Sequence, residues 1–594
     1  MYIYEKRIEM KSKFKYVIVL LFSLFLFSRY LMIDFPQEES SIFFNGKIIT
    51  LEEDPINVEA IFVENGIIKS VGNKEEILAL KKAETTLIDL KGKTLLPGFI
   101  DSHTHPALST FLHGMVDLSG FTHSTPEQLW NHLSVEIKNF EKGEWVICRG
   151  FDPILIKGLA APQISFLDSI APENPILIIS QSLHSFWTNT KGFELANISK
   201  DTPDPTEMSF YGKDENGELT GFIAEQEAIK PFNEMLEETM TPKVMIQATR
   251  EVFDEYSRSG NTTIVSTGLM IKDKKPLQLY EHFSAEKPKL LNQFLSFIGY
   301  FSKRKPSVRH FIYARHDRTF LLPDSPQNGD DFYRFLGVKH WYDGSPYTGS
   351  MYLKEPYEVS DLTKNGLQIP AGHAGERLVE KNDMIDFVEK YEKLGWQIAV
   401  HVQGDQAIEE TIDAFEKVNS NHTITNSRHR LEHCLLLSDT SIKRMATLNM
   451  TPSIHINHLY FYGEALKHEI IGEERADQIL PVATVKNSGM KFSFHADQPM
   501  FKSDPFRLIQ TAVLRKTKEG NLMGDGEQID ILEGLKAMTI YAAWQIKMED
   551  KIGSIKKGKY ADFVIVDENP LETPANELEN IQILKTYVHG NEVK

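Results

Sequence analysis

Cysteine and basic charge are both scarce in this chain. Its 594 residues include two cysteines, Cys148 and Cys434, and 65 basic against 83 acidic side chains give a formal net charge of -18. Two cysteines rule out a disulfide framework and a thiolate zinc site, and we expect the pair to be unbridged. A nucleic-acid-binding surface needs a basic patch or stripe, so the acidic balance argues against nucleic acid as a partner.

Long apolar runs are also rare, and one near the N-terminus stands apart from the globular remainder. "VIVLLFSLFLF" (Val17 to Phe27) follows a flank with five basic residues between Lys6 and Lys15. Such a flank before an apolar run is typical of a secretory signal, and no small-residue cleavage site follows. We therefore predict a signal-anchor or transmembrane segment with its linker over residues 1–38. It would make the membrane a partner and place the body on the extracytoplasmic (periplasmic) side, secreted if the signal is cleaved.

Short β-type runs occur at both ends of the remaining chain. Asn45-Gly46 and Asn65-Gly66 interrupt residues 39–97 and predict tight hairpin turns. Residues 548–594 contain similar short β-type runs, for example in "KYADFVIVDENP". Together these segments predict one small β-sandwich domain built from both chain ends.

Residues 98–547 alternate strand-length apolar runs with helix-like stretches such as "DQAIEETIDAFEKV". The alternation predicts an α/β fold, a (β/α)8 TIM barrel of parallel strands. The interval after the first run is too long for one crossover helix and predicts an inserted subdomain over about residues 107–261. The eight runs begin at Phe99, Thr262, Phe294, Phe335, Trp396, Arg428, Asn449 and Lys491.

The first of these runs, within "LLPGFIDSHTHP", ends in two histidines. Residues i and i+2 of a strand face the same side, so His103 and His105 would both point into the barrel. They would lie at the C-terminal end of its first strand, where barrel enzymes carry their active sites. Two imidazoles at this spacing can bind one metal ion, although a chain with 20 histidines contains such pairs by chance.

Four more polar residues lie at or near later strand ends: Lys339, His401, His433 and Asp497. A lysine in an apolar run is costly because burial desolvates its ammonium group. Each residue alone has an ordinary explanation, as a hydrogen-bonded histidine or a helix-capping aspartate. Their order across the eight strands, after the histidine pair, instead indicates a metal site.

These motifs resemble the amidohydrolase superfamily, and most closely amidohydrolase family 3, which includes N-substituted formamide deformylase-like metal-dependent hydrolases. "LLPGFIDSHTHP", "GVKHWYDGS", "HVQGDQAIEETIDAFE" and "RHRLEH" are similar to its motifs for strands one, four, five and six. "IGSIKKGKYADFVIVDENP" is similar to the segment that returns into its β-sandwich domain. The likeness extends from about Ile42 to the C-terminus.

The resemblance implies a binuclear metal centre. The histidine pair and Asp497 would hold one divalent ion, and His401 and His433 the other. A carbamate formed from carbon dioxide on Lys339 would bridge the two ions. Nitrogen and oxygen ligands suit zinc, so two Zn²⁺ ions per chain are expected, with iron and manganese left open. Asp497 would also be catalytic, as a general base that becomes a general acid.

Four residues are weaker candidates for contact with the substrate. His184 and Glu225 match positions in the family, although Glu225 can equally be a helical surface residue. Asp343 follows strand four, where an Asp-Gly turn can explain it. "FHADQP" departs from the family's usual end of strand eight and brings His495 onto the face of Asp497.

The expected function is hydrolysis of non-peptide C–N bonds in small-molecule amides, of the linear N-formyl or N-acyl amine type, by a metal-activated hydroxide. One alternative is a mononuclear deaminase of an aminated heterocycle, against which Lys339 argues. Another is a non-catalytic envelope binding protein of the same fold, against which the complete ligand set argues. The sequence leaves a homo-oligomer open.

Overall fold

The computed structural model describes residues 15–25, 27, 40–181, 183, 185–206, 209–239, 241–286, 290–297, 307–367, 369–421, 424 and 427–594. Residues 15–25 are helical and exposed. At 1.5 Å per residue such a helix rises about 16 Å, roughly half of a hydrocarbon core of about 30 Å. Across the described ranges, no helix has the length and apolar character that a membrane crossing requires. This finding contradicts the predicted transmembrane anchor, and with it the membrane partner and the anchored, exported location.

An eight-stranded sheet draws its strands from both ends of the chain. Asn65 and Gly66 join two of its strands as a tight turn with φ of 52° and 72°, which confirms that hairpin. The hairpin predicted at Asn45 is wrong, because this residue (φ 60°) lies inside one strand where the register shifts. The strands are Ser40–Ile49, Asn57–Glu64, Ile67–Gly72, Thr86–Asp89, Thr94–Pro97, Phe563–Val566, Ile583–Val588 and Asn591–Glu592.

Eight parallel strands in sequence order form the predicted barrel. The first and last strands do not pair as a ladder, but Ser102 Oγ lies 2.7 Å from Ser493 Oγ and nearly closes the ring. The strands are Phe99–Thr104, Asn261–Leu269, Arg309–Arg315, Tyr333–Trp341, Gln397–Val402, Arg430–His433, Thr451–Ile454 and Ser493–Phe494.

The third strand is the one that the sequence pattern located wrongly. The first four residues of the predicted run, 294–297, belong to the helix Leu290–Phe297, and the strand is Arg309–Arg315. Periodicity cannot separate a strand from a helix in a short apolar run, which explains the error. Each of the other seven predicted runs overlaps a barrel strand.

Helices separate most of these strands. The predicted amphipathic helix after strand five is present as Asp405–Asn421 and buries Ile408, Ile412, Phe415 and Val418. The α-helices are Lys74–Leu78, Pro106–Leu112, Pro126–Glu136, Ile164–Ile170, Thr190–Leu195, Glu225–Thr239, Pro242–Arg258, Lys275–Ser284, Leu290–Phe297, Lys381–Lys393, Asp405–Asn421, Asp439–Thr447, Asn457–Ala465, Glu473–Ala476, Val482–Asn487, Pro505–Leu514, Ile531–Ala537 and Ile540–Gln545. Short 3-10 or π helices are Ile137–Asn139, Thr319–Leu321, Pro346–Thr348, Leu362–Gly366, Leu466–Ile470 and Ala575–Asn580.

Between barrel strands one and two the chain forms a separate six-stranded mixed sheet. Its side chains reach the barrel mouth at a few points, since Tyr462 donates to Asp152 Oδ2 at 2.8 Å and Gln181 donates to the Met500 carbonyl at 2.8 Å. The strands are Val116–Asp117, Val146–Phe151, Ile176–Ser180, Ser185–Thr188, Tyr211–Lys213 and Leu219–Ala224.

The eight-stranded sheet is tied to the barrel by a buried ion pair. Arg309, the first residue of strand three, donates through Nε and Nη2 to the two carboxylate oxygens of Asp562, at 2.6 and 3.0 Å. Its guanidinium stacks on Phe332 at 3.7 Å and on Tyr560 at 4.3 Å. A planar fork of this kind matches a carboxylate in two hydrogen bonds at once. Elsewhere, Cys148 and Cys434 are both free and buried.

Candidate metal centre

His103 and His105 stand where strand one runs into its helix. His103 is the last but one residue of the strand, and His105 precedes the first turn of Pro106–Leu112. Their rings lie 5.2 Å apart in an edge-to-face arrangement. Strand alternation therefore brings the two imidazoles to the same end of the barrel, as their spacing predicted.

Asp497 faces both histidines across the seam of the barrel. Its Oδ1 lies 2.9 Å from His105 Nε2 and 3.4 Å from His103 Nε2. Its backbone N–H donates to the His103 carbonyl, and its φ of 58° is unusual for a residue other than glycine. Such backbone strain is often retained where a side chain must take one direction. Burial raises the pKa of Asp497, but hydrogen bonding by His105 and electrostatic interaction with the surrounding imidazoles outweigh it and lower the pKa overall.

Glu432 hydrogen-bonds the His103 ring nitrogen that does not face Asp497. His103 Nδ1 donates to Glu432 Oε2 at 2.7 Å, which leaves Nε2 directed at Asp497. Arg430 donates to the same Oε2 at 2.9 Å and to the Ser102 carbonyl at 2.8 Å. A carboxylate behind a histidine fixes the ring's tautomer and direction, as it commonly does behind a metal ligand. Glu432 was not among the predicted site residues, although "RLEH" puts Arg430 and Glu432 on one strand face.

Lys339 is completely buried in strand four. Its Nζ lies 5.0 Å from the centre of the Trp341 ring and has no hydrogen-bond partner within the described part of the chain. Burial lowers the pKa of this lysine to about 8, even though Glu432 and Asp497 raise it. A buried ammonium without an acceptor is unfavourable, so the side chain suits a neutral amine or an anionic derivative of it.

His401 is the last but one residue of strand five, and His433 is the last residue of the neighbouring strand six. Their ring centres are 4.4 Å apart, and His401 Nε2 lies 3.3 Å from the Gly344 carbonyl. Strict alternation would point His433 away from the face of Glu432. Its φ of 72°, followed by 53° at Cys434, ends the strand and turns its ring toward the other histidines. The sequence motif located these residues, and the turn of the backbone determines their direction.

Three more buried histidines belong to the same cluster: His455, His458 and His495. His495 stacks on His103 at 4.6 Å, and its Nε2 lies 3.3 Å from His433 Nδ1. His455 lies 5.5 Å from the ring of His433, and His458 lies 4.2 Å from His455. Only His495 was predicted as a site residue. The signal for the other two is "SIHINH", where histidines follow strand seven three residues apart.

Burial keeps the imidazoles of this cluster neutral, because desolvation disfavours the charged ring. It lowers the pKa of His401 to about 3 and that of His455 to about 4. The pKa values of His103, His433, His458 and His495 are also lowered, first by burial and then by neighbouring charge. A neutral imidazole is the form that binds a metal ion.

The remaining predicted residues are placed differently. Asp343 is fully buried, and its carboxylate accepts from the backbone N–H groups of Gln403, Gly404 and Tyr352 at 2.9–3.0 Å. It therefore anchors loops around the site. Burial raises its pKa to about 7, against these hydrogen bonds. Glu225 is half-buried at the start of Glu225–Thr239 with a φ of 62°. His184 lies outside the described residues.

The donor set fits divalent transition-metal ions. Three groups of side chains bring their ligand atoms within 4.8 Å of one another: His103, His105 and Asp497; His103, His433 and His495; and His433, His455 and His458. Neutral imidazoles with one carboxylate, and no thiolate, are the ligands that zinc accepts in hydrolytic sites. The unpartnered Lys339 Nζ beside them is chemically consistent with an additional anionic ligand.

Comparison with known proteins gives a consistent family. A model of the amidohydrolase family matches residues 86–594. The N-substituted formamide deformylase of Arthrobacter pascens is 26% identical over 554 residues, covering 92% of this chain and 96% of that protein. An uncharacterized metal-dependent hydrolase from Pyrococcus horikoshii OT3 has a similar fold, with a TM-score of 0.67, 23% identity, and 91% and 99% of the two chains covered. A Pyrococcus furiosus counterpart has a TM-score of 0.66 at 24% identity, covering 90% and 100%.

Proposed function

This chain belongs to the amidohydrolase family of metal-dependent hydrolases, and from that premise we propose that it hydrolyses linear amides of the N-formyl or N-acyl amine type. The predicted enzyme class, a hydrolase acting on carbon–nitrogen bonds, is confirmed by the family match and the deformylase relative. The observation that carries the proposed hydrolysis is the approach of Asp497 Oδ1 to the Nε2 atoms of His105 and His103, at 2.9 and 3.4 Å, and the formamide deformylase relative supports the substrate type. A carboxylate held beside two imidazoles suits attack of water on a carbonyl.

The ligand assignment is part of this proposal. His103, His105 and Asp497 would hold one divalent ion, His401 and His433 a second, and a carbamate on Lys339 would bridge them, with zinc at both positions. The buried, unpartnered Lys339 Nζ supports the carbamate. The orientation of His103 by Glu432 supports ligation through Nε2. When bound, metal ions lower the pKa of water toward about 7 and polarise a carbonyl oxygen.

The reaction proceeds through Asp497 as proton carrier. As the water oxygen bonds to the carbonyl carbon, the carboxylate of Asp497 accepts the water proton. It then delivers a proton to the amine nitrogen as the C–N bond breaks, releasing a carboxylic acid and an amine. The short contact with His105 and the strained backbone of Asp497 keep its oxygen pointed at this position. Proton transfer by a positioned group contributes about 10²–10⁴-fold to the rate.

An aromatic wall beside the histidines supports an apolar substituent on the substrate. The wall consists of Phe121, Phe461 and Phe501, with ring separations of 4.7–5.3 Å. Phe501 meets His455 edge-on at 4.9 Å. Phe121 comes from the segment between strands one and two, so that segment contributes to the mouth of the site. Small-molecule sites are commonly lined by aromatic side chains that bury the apolar part of the ligand, so this wall supports an apolar substituent on the amide.

We also propose the predicted division into domains: 39–97 with 548–594 as one unit, and 98–547 as the hydrolase body with an insertion at about 107–261. The eight-stranded sheet built from both chain ends supports the first unit. The separate six-stranded sheet between barrel strands one and two supports the insertion as a distinct unit.

The test combines metal content with hydrolysis. Purified protein, Lys339→Ala and Asp497→Asn are measured for zinc by mass spectrometry and for amine release from a panel of N-formyl and N-acyl amines. Two equivalents of zinc with activity on formamides are expected, falling to one or none in Lys339→Ala. Asp497→Asn should lose activity by at least about 10²-fold, the lower contribution of a proton carrier. Full activity in both variants, or activity on aminated heterocycles alone, would refute the proposal.

A further inference from the structure

Phe121 is the ring that the segment inserted between barrel strands one and two adds to the aromatic wall. It lies 4.7 Å from Phe461 and 4.9 Å from Phe501. The preceding carbonyl, of Gly120, accepts a hydrogen bond from Lys518 Nζ at 3.1 Å. A Cβ on Gly120 would approach another Cβ of the inserted segment to 2.4 Å. The loop that carries Phe121 is therefore bonded to the barrel on one side and packed against its own segment on the other.

Asp152, also in the inserted segment, holds the helix that carries Phe461. Tyr462, the next residue along Asn457–Ala465, donates its hydroxyl to Asp152 Oδ2 at 2.8 Å. The other carboxylate oxygen accepts from the Ile154 N–H at 2.8 Å. Both Asp152 and Tyr462 are buried, and burial raises the pKa of Asp152 to about 6. A buried carboxylate is unfavourable unless it is hydrogen-bonded, so these bonds determine where the segment and the helix meet.

The inserted segment also holds the loop that carries Phe501. The preceding carbonyl, of Met500, accepts from Gln181 Nε2 at 2.8 Å. Tyr462 stacks on Tyr347 at 4.1 Å and meets Phe501 edge-on at 6.1 Å, which joins this loop to the Asp152 contact. Each ring of the aromatic wall thus has, one residue away, a hydrogen bond between the inserted segment and the barrel.

The aromatic wall lies on the amine side of the substrate in the proposed reaction. The Met500 N–H donates to the Asp497 carbonyl at 2.9 Å, so Phe501 directly follows the turn that begins at the proton carrier. A proton donor has to come within hydrogen-bonding distance of the amide nitrogen as the C–N bond breaks. Phe501 is buried, whereas Phe121 and Phe461 are only half-buried and leave ring surface open beside that nitrogen.

We propose that the inserted segment selects the substrate, with the aromatic wall holding the apolar group on the amide nitrogen and Asp152 positioning the wall through Tyr462. The inference rests on the proposed function, because it concerns the amide that the metal centre hydrolyses. It adds which group of the substrate is recognised and which part of the chain recognises it. Amides of long apolar amines are favoured over those of methylamine, because each CH2 group buried against the rings leaves water.

Selectivity between two formamides tests the wall. Zinc-loaded full-length wild type, Phe121→Ala and the control Phe166→Ala are compared by kcat/KM for N-hexylformamide and N-methylformamide. Phe166 packs against Trp130 at 5.0 Å within the inserted segment itself. The preference for N-hexylformamide should fall by about 10-fold or more in Phe121→Ala, because apolar contacts with a substrate group discriminate by about 10–200-fold. Phe166→Ala should keep the wild-type preference.

The positioning role of Asp152 is tested by removing its bond to Tyr462 from either side. Asp152→Ala and Tyr462→Phe should lower the same preference, through the KM for N-hexylformamide more than through kcat. D152A/Y462F should lower it no further than either single variant, since both remove one interaction. Asp152→Asn keeps an oxygen acceptor and should recover most of the preference.

Tyr462→Phe keeps the ring and guards against misfolding, which circular dichroism checks in every variant. Equal losses on the two formamides in Asp152→Ala and Tyr462→Phe would reduce Asp152 to a structural residue and overturn its positioning role. An unchanged preference in Phe121→Ala would overturn the recognition of the apolar group.

Calorimetric binding of N-hexylurea and N-methylurea separates this inference from the proposed function. If wild type hydrolyses both formamides without preferring N-hexylformamide, selection by the inserted segment fails and the proposed hydrolysis stands. If wild type hydrolyses neither formamide, yet binds N-hexylurea more tightly and loses that difference in Phe121→Ala, the proposed hydrolysis fails and the recognition of the apolar group stands. If neither formamide is hydrolysed and the two ureas bind equally, both fail.

Discussion

Glu432 Oε2 accepts hydrogen bonds from both His103 Nδ1, at 2.7 Å, and Arg430, at 2.9 Å. One buried carboxylate thus orients a candidate metal ligand and neutralises a buried guanidinium. The metal centre and the stability of the barrel are therefore joined at Glu432.

Glu432→Gln should weaken both the metal centre and the stability of the barrel. Arg430 would remain buried with its charge uncompensated, which costs about 3–5 kcal/mol of unfolding free energy. Zinc affinity should fall by about 10–100-fold because His103 loses its anionic partner. Urea unfolding and chelator competition measure the two effects. Glu473→Gln, which removes an exposed ion pair with Lys467, is the control and should change stability by less than about 1 kcal/mol. Equal effects of the two substitutions would contradict this role.

The proposed carbamate on Lys339 can be tested directly. Protein incubated with zinc and ¹³C-labelled bicarbonate should show a carbamate carbon resonance that is absent from Lys339→Ala, because a buried neutral amine reacts with carbon dioxide. Adding acetate or propionate to Lys339→Ala should restore part of the zinc content by supplying a free carboxylate. Lys339→Arg keeps a cation but cannot form the carbamate, and serves as control. A labelled signal of equal strength in Lys339→Ala would assign it to another lysine.

Asp343 should act on stability through the backbone rather than on chemistry. Its carboxylate accepts from Gln403, Gly404 and Tyr352. Asp343→Asn turns an NH2 group toward at least one of these donors, and bonds to a charged acceptor are worth about 1.5–3 kcal/mol each. We expect the urea midpoint to fall, with zinc content retained in the folded protein. Loss of zinc at unchanged stability would instead make Asp343 part of the metal centre.

Asp562→Asn should destabilise the contact between the eight-stranded sheet and the barrel. The substitution leaves Arg309 buried between aromatic rings without its carboxylate, a loss of about 3–5 kcal/mol. Thermal unfolding followed by circular dichroism measures it. Asp477→Asn, which removes a surface pair with Lys467, should barely shift the transition. If Asp562→Asn shifts the thermal transition as little as Asp477→Asn does, the Arg309–Asp562 pair does not couple the eight-stranded sheet to the barrel.

Removing the metal should lower the unfolding temperature reversibly. An ion that binds only the folded state stabilises it by about 2.7 kcal/mol at a free concentration 100 times its Kd. Dialysis against dipicolinate should therefore lower the melting temperature, and added zinc should restore it. Magnesium, which prefers oxygen ligands, should not restore it at the same concentration. Equal restoration by magnesium would argue against nitrogen ligation.

Local pattern succeeded where the chain obeys local rules. Alternation placed His103 and His105 together, and helical spacing identified Asp405–Asn421. Sequence pattern failed where contacts with the rest of the protein determine the local conformation. Residues 294–297 of the predicted third strand are helical, Asn45-Gly46 stays within one strand, and no helix among the described residues is long and apolar enough to cross a membrane. In each case the composition of the segment was identified correctly, but the length of the segment and its contacts with neighbouring residues determined its structure.

By itself, the sequence determined the barrel, the family and the polar residues at five strand ends, because periodicity and motif spacing are local properties. Only the tertiary structure decided the directions in which those residues point. Positive φ values turn His433 and Asp497 toward their neighbours, and Glu432 engages a histidine 329 residues away. The group of His433, His455 and His458 arises in the same way, since these histidines meet only when adjacent parallel strands end at one level of the barrel.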